Sequence, residues 1–184
     1  MSEKKSPPRD VPDRDSKYMG LAWMHAGFSK DPYTQVGAQI VGAYNCPLGS
    51  GYNGPPRLID DEDISWDRST DEKEVTRYDV IVHAEVNAMD RSKEDLTGAT
   101  IYVTALPCPK CMLEIIRREI GRVVYYDFQG DSSSTLRNAP WRDKSLSMAE
   151  MAGIKVELFE GNVNWIADWK EHLQELGIFE MLED

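Results

Sequence analysis

Histidine and cysteine are scarce in this chain, three of each among 184 residues. So few cysteines exclude a disulfide framework of the secreted kind, and a reducing cytoplasm is the expected setting, a host cytoplasm for a viral protein. No apolar run approaches the roughly 20 residues that a membrane-spanning helix needs, and no signal-peptide core opens the sequence. No internal repeat is evident. Basic residues are short as well: 21 Lys and Arg stand against 32 Asp and Glu, a formal net charge of -11. A polynucleotide-binding enzyme normally carries a basic groove, because phosphate contacts dominate affinity. The acidity therefore argues against a nucleic-acid polymer as partner, while a small nucleotide needs only a few local donors. With 41% hydrophobic residues, one domain with a single core is expected. Residues 1–15, charged and proline-bearing, read as a flexible tail ahead of a catalytic domain at 16–184.

The scarce residues are clustered. His83-Ala84-Glu85 precedes Pro107-Cys108-Pro109-Lys110-Cys111. Two cysteines at i and i+3 share one face of a helical turn. With His83 they make a set of three ligands that suits zinc, and three protein ligands leave the fourth tetrahedral position open, as in catalytic sites. Glu85 stands close enough to His83 to move protons on a water held there. A closed structural zinc would need a fourth ligand from Cys46, His25 or His172. A redox dithiol is the remaining reading, since thioredoxin-like C-x-x-C also follows a strand and opens a helix. The H-x-E…P-C-x-x-C combination is the known signature of zinc nucleobase deaminases.

A coarse pass places these motifs. A helix is expected at 16–29, a strand at 35–41, and a glycine-dense turn and strand at 45–54 that must pair with it as an antiparallel hairpin. An irregular, highly charged insertion fills 55–80. A helix is expected at 81–89, with His83 in its first turn. Strand 100–104, helix 108–119, strand 122–128, a Ser-rich loop at 131–141, helix 145–152 and strand 154–159 follow. Gly153 stops the 145–152 helix. Trp165, Trp169, Leu173 and Leu176 then form a stripe on a last helix ended by Gly177. Strand–helix alternation from Thr100 onward implies right-handed parallel crossovers. The expected fold class is α/β, a five-stranded mixed sheet with helices on both faces.

The chain resembles the dCMP deaminases of the cytidine deaminase superfamily from about Tyr18 to Trp169. The motifs that carry the resemblance are Ser29-Lys30-Asp31-Pro32, Gln35-Val36-Gly37-Ala38, Gly51-Tyr52-Asn53-Gly54, His83-Ala84-Glu85-Val86-Asn87-Ala88 and the Pro-Cys-x-x-Cys segment. The resemblance implies a cytidine deaminase-like three-layer α/β/α fold and hydrolytic deamination of dCMP to dUMP, which feeds thymidylate synthesis. It implies one catalytic Zn2+ per chain on His83, Cys108 and Cys111, with Glu85 as proton shuttle between water, ring N3 and departing ammonia. It also implies substrate contacts from Asn53, Ser29, Lys30, backbone groups near Ala105 and Leu106, and a tyrosine after the fourth strand, for which Tyr126 is the candidate beside Phe128 and Gln129. A homohexamer is implied, activated by dCTP with Mg2+ and inhibited by dTTP. Gly54, Arg57, Asp60, Asp61 and Trp66 are the candidates for that effector site.

Plainer readings stand beside several of these. Asn53 suits a turn between glycines, Lys30 a solvated helix end, and the acidic run a solvated surface. His25 reads as a packing histidine, and Trp165 and Trp169 as core or interface residues. The competing activities are deamination of dCTP or 5-methyl-dCMP, a polynucleotide deaminase, and a non-catalytic zinc-binding protein.

Overall fold

The computed structural model describes residues 11–67, 74–127 and 139–167. In chain order the elements are α1 (Arg14–Ala26), β1 (Gly37–Val41), β2 (Pro47–Tyr52), α2 (Arg77–Val80) and α3 (Ala84–Arg91). There follow β3 (Thr100–Val103), α4 (Pro109–Arg117), β4 (Arg122–Tyr125), α5 (Trp141–Met151) and β5 (Lys155–Leu158). The strands form one sheet in the order β2-β1-β3-β4-β5. β1 runs antiparallel to both β2 and β3, while β3, β4 and β5 are parallel. The expected mixed sheet, with its hairpin and parallel half, is present.

Alternation along the strands sends side chains to two different helical layers. On one face Val41, Tyr102 and Val124 pack with Tyr18, Met19 and Ala22 of α1. On the other, Ala38, Ile40, Ile101, Val103 and Val123 pack with residues of α3, α4 and α5, among them Met89, Met112, Ile115 and Ala149. Each fully buried large aliphatic side chain here contributes about 1.5–3 kcal/mol. Two glycines let the helices reach the sheet. A Cβ on Gly37 would stand 1.9 Å from the Ala22 carbonyl of α1. One on Gly51 would stand 2.5 Å from Ala88 N and 2.6 Å from Ala84 O of α3.

The first helix begins earlier than expected, and this corrects the boundary of the tail. Asp13 caps α1, its Oδ1 accepting from Ser16 N at 2.8 Å. Asp15 is helical, and its carboxylate receives Arg122 from β4 at 2.9 and 2.6 Å and the Tyr102 hydroxyl at 2.7 Å. Residues counted with the tail thus fasten α1 across the sheet. α5 begins at Trp141, inside the segment expected to be loop, and Trp165 packs on α1 with its indole N–H donating to Ser16 O at 3.0 Å. Trp169, Leu173, Leu176 and Gly177 lie outside the described residues, as do 1–10, 68–73 and 128–138.

Candidate metal centre and its cavity

Strand register gathers the site at one edge of the sheet. Gly37 at the start of β1 pairs with Tyr52 at the end of β2, and Ala38 with Val103 at the end of β3. The segment before β1 and those after β2 and β3 therefore emerge together, outside the carboxyl end of β3. Ligands of open α/β sheets bind in such crevices. Thr104, fully buried, fixes the junction by accepting from Gly37 N through Oγ1 at 3.0 Å.

Both ligand segments sit at helix starts. His83 is the residue that precedes α3, rather than one in its first turn. Cys108 precedes α4, Pro109 opens it, and Cys111 lies in its first turn. Proline tolerates the first helical position because the N–H it lacks would have no partner there. The positive end of a helix dipole stabilises thiolate. Ser145 of α5 donates to the carbonyl of Pro107 at 2.6 Å, holding the residue before Cys108 from behind.

The ligand atoms of His83, Cys108 and Cys111 all lie within 4.8 Å of one another. His83 Nδ1 is 3.6 Å from Cys108 Sγ and 3.3 Å from Cys111 Sγ. Tetrahedral zinc, about 2.0 Å from nitrogen and 2.3 Å from sulfur, would hold N and S about 3.5 Å apart. The trio therefore fits zinc in donor type and in spacing. Electrostatics agree. The Cys108 thiol is brought down to about 4, first by the hydrogen bond from Cys111 and also by that with His83. His83 is pushed up to about 9, chiefly by its hydrogen bond to Cys108. Contact with Cys108 and then burial push the Cys111 thiol far up. Without a metal, one thiolate balances one imidazolium. A divalent cation would let both thiols ionise and leave His83 neutral.

His83 and Cys108 open onto a cavity of about 280 Å³. Glu85 lines it at only 4% exposure, in the first turn of α3. Burial pushes its carboxyl above the usual range, and the charge on His83 pulls the other way. Asn53 lines the cavity too, and both ends of its amide are engaged. Oδ1 accepts from Val36 N at 2.8 Å, and Nδ2 donates to Thr34 O at 2.9 Å. Ala105 and Leu106 also form part of the wall.

Other expected contacts are elsewhere. Ser29 is not among the lining residues; its hydroxyl donates to the Asn53 carbonyl at 2.8 Å. Lys30 points outward with its side chain 69% exposed and pairs with Asp61. Tyr126 is turned to the α1 face, where it stacks edge-on against Trp23 at 5.4 Å and packs near Phe159. Alternation past the end of β4 puts it on the wrong side of the sheet for the cavity. Phe128 and Gln129 lie outside the described residues. Among the effector candidates, Asp61 and Trp66 meet, the Trp66 indole donating to the Asp61 carbonyl at 3.0 Å. Gly54 is buried and pairs with Val82, next to His83. Arg57 and Asp60 are exposed, and Asp60 precedes a 3-10 turn at Asp61–Asp63.

The structure adds residues that the sequence did not single out. Asp31, Thr34, Arg77, Tyr78, Ile81 and Trp141 share the cavity wall. Arg77, Tyr78 and Ile81 come from the end of the insertion and just beyond it, so that segment helps to build the cavity itself. The only local signal was Thr76 followed by Asp79, which forms a capping box on α2. The pairing of Arg77 with Asp31, 46 residues away, left no trace in the sequence.

Residues 12–127 match the model of the cytidine and deoxycytidylate deaminase zinc-binding region. Human deoxycytidylate deaminase is 39% identical over 109 residues, 59% of this chain and 61% of the human one. The chain thus spans about three fifths of the length of that relative. Deoxycytidylate deaminase of Mycobacterium phage D29 is 39% identical over 128 residues, 62% of this chain and 94% of the phage protein. The fold is that of the dCMP deaminase of cyanophage S-TIM5 crystallised with dCMP and dUMP, with a TM-score of 0.60 at 22% identity over 82% of this chain and 100% of that one. A family match across more than half of its residues, with the three zinc-type ligands brought together, means that the chain belongs to the cytidine and deoxycytidylate deaminase family.

Proposed function

We propose that the chain is a zinc-dependent hydrolase that converts dCMP and water to dUMP and ammonia, supplying dUMP for thymidylate synthesis. The observation that carries this is a buried carboxyl, Glu85, beside three zinc-type ligands in a cavity of single-nucleotide size. Relatives named deoxycytidylate deaminase support the choice of substrate. His83, Cys108 and Cys111 would hold the zinc, which would supply Lewis-acid activation of a water by lowering its pKa to about 7. Glu85 accepts a proton from the attacking water, passes one to ring N3 and delivers one to the departing amine at C4. Backbone groups of Ala105 and Leu106 read the edge of the base. Asn53, fixed at both amide ends, presents its remaining N–H and lone pair to the substrate. Ser29 steadies Asn53 through the Asn53 carbonyl.

Regulation and assembly belong to the same reading: dCTP with Mg2+ as activator, dTTP as inhibitor, a homohexamer, and work in the cytoplasm. The family resemblance supports these. For the effector site there is added support in the Lys30–Asp61–Trp66 cluster and in the Gly54–Val82 pairing, which joins the residue before the insertion to the residue before His83.

The deciding experiment is elemental analysis together with deamination of dCMP, dCTP, deoxycytidine and single-stranded DNA. The expected result is one zinc per chain and fastest turnover of dCMP. Zinc-loaded protein inert on dCMP, or as fast on single-stranded DNA, overturns the reading. Sigmoidal dCMP saturation that becomes hyperbolic with dCTP and Mg2+, and fails to do so after Asp61→Ala with Trp66→Ala, is expected for the effector site. Hyperbolic saturation indifferent to dCTP and dTTP overturns that part alone.

A further inference from the structure

Zinc chemistry makes no use of the guanidinium in the cavity wall. Arg77 is the one lysine or arginine among the described lining residues. Its Nη1 donates to Asp31 Oδ1 in a pair whose side chains are 9% and 6% exposed. The same Oδ1 accepts from Tyr33 N at 2.9 Å and Thr34 N at 3.0 Å, so the backbone fixes the carboxylate. The guanidinium sits 4.8 Å from the ring centroids of both Tyr33 and Tyr78. Its own backbone is tied down as well, Arg77 N donating to Ser65 O at 2.9 Å.

A guanidinium carries five N–H donors. The bond to Asp31 uses one, and the rest have no partner among the described residues. None of its nitrogens is both unpaired and sealed from solvent. Arg77 lines the cavity, so its remaining donors are within reach of a ligand held there. The carboxyl groups of that wall are those of Asp31 and Glu85. Arg77 is thus the one permanently charged cation among the described residues of that wall. Asp31 balances the guanidinium while the cavity is empty, which allows the arginine to stay buried. The planar fork, held between two rings, is suited to bidentate contact with phosphate oxygens.

We propose that Arg77 is the specificity-determining residue that takes the 5′-phosphate of a nucleoside monophosphate, with Asp31 as its positioning residue. The proposal rests on the deaminase reading above and adds to it the group that distinguishes nucleotide from nucleoside.

The test is equilibrium binding of dUMP by calorimetry, together with dCMP kinetics, on wild type, Arg77→Gln and Arg77→Lys at measured zinc content. Arg77→Gln is expected to weaken dUMP binding about 10- to 100-fold. The loss in dCMP turnover should fall more in KM than in kcat, and Arg77→Lys should recover part of it. The double variant Asp31→Asn, Arg77→Gln removes both charges together, so no carboxylate is left unpaired, and it should show the same loss of dUMP binding with normal zinc. Unchanged dUMP binding in a folded, zinc-loaded Arg77→Gln overturns the proposal. So does loss of zinc and fold in both Arg77→Gln and the double variant, which would make the pair purely structural. A wild type that binds dUMP through Arg77 yet leaves dCMP intact would instead overturn the deaminase reading and spare the phosphate site.

Discussion

The cavity has two unlike walls. The metal wall is made by the starts of α3 and α4, each packed on the central strands by fully buried side chains such as Ala84, Ala88 and Met112. Its functional atoms belong to two short segments on rigid helices, and Ser145 fixes one of them from α5. The opposite wall is made of loops. Asp31 precedes β1, Asn53 follows β2, and Arg77 stands on the four-residue helix α2 at the end of a long insertion. It is held by hydrogen bonds, one buried ion pair and stacked rings instead of aliphatic packing. Rigid support suits a wall that must keep three ligands at metal-binding distances. A wall of polar contacts can adjust to a ligand, because each contact is modest and can be remade.

Four changes would sharpen or break that contrast. The largest effect is expected in the metal wall. Cys111→Ala should remove bound zinc and with it all measurable turnover, which metal analysis beside an activity assay would show. Retention of full zinc would mean that the trio is not the binding set. Next is Glu85→Gln, which keeps size and polarity. It should lower kcat by about 10²- to 10⁴-fold at normal zinc content. Turnover within threefold of wild type would remove Glu85 from the chemistry.

The loop wall should answer in stability. Asn53→Ala leaves Val36 N and Thr34 O without their partner, at a cost of about 1–3 kcal/mol. Thermal melting should register it at roughly 2–4 °C per kcal/mol for a domain of this size. An unshifted melt would show that water replaces the amide.

The smallest effect lies away from the cavity, on the α1 face, and depends on pH. Hydrogen bonds from Arg122 hold the Asp15 carboxyl below its usual range, against the cost of burial. A depressed folded value means that the stabilisation is complete above the unfolded value of about 4. It is lost as pH falls through the lower folded value. Asp15→Asn should therefore be less stable than wild type at pH 7, and the gap in urea midpoint should narrow as pH falls below about 4. A gap that stays constant with pH would deny the ion pair its role in fastening α1.

What was legible follows from range. The zinc trio could be read because two cysteines three apart must share a helical face, and Glu85 is two residues from His83. The β1–β2 hairpin could be read because so short a connection leaves no other pairing. Tyr126 was misplaced because alternation past a strand end depends on where β4 stops, and it stops at Tyr125. The tail boundary was missed because Asp15 is ordered by Arg122 and Tyr102, residues on distant strands.

The sequence by itself determined the chemistry on offer: a nitrogen and two sulfurs in zinc spacing, and a carboxyl beside them. Only the tertiary structure decided which groups face that chemistry. Asp31, Asn53 and Ala105 come to one cavity because β1 lies antiparallel to both of its neighbours, which returns three chain segments to a single sheet edge, and the buried pair with Asp31 brings Arg77 there. Contacts fixed by strand register and long-range ion pairs have no local spacing to betray them, so the folded chain alone reveals them.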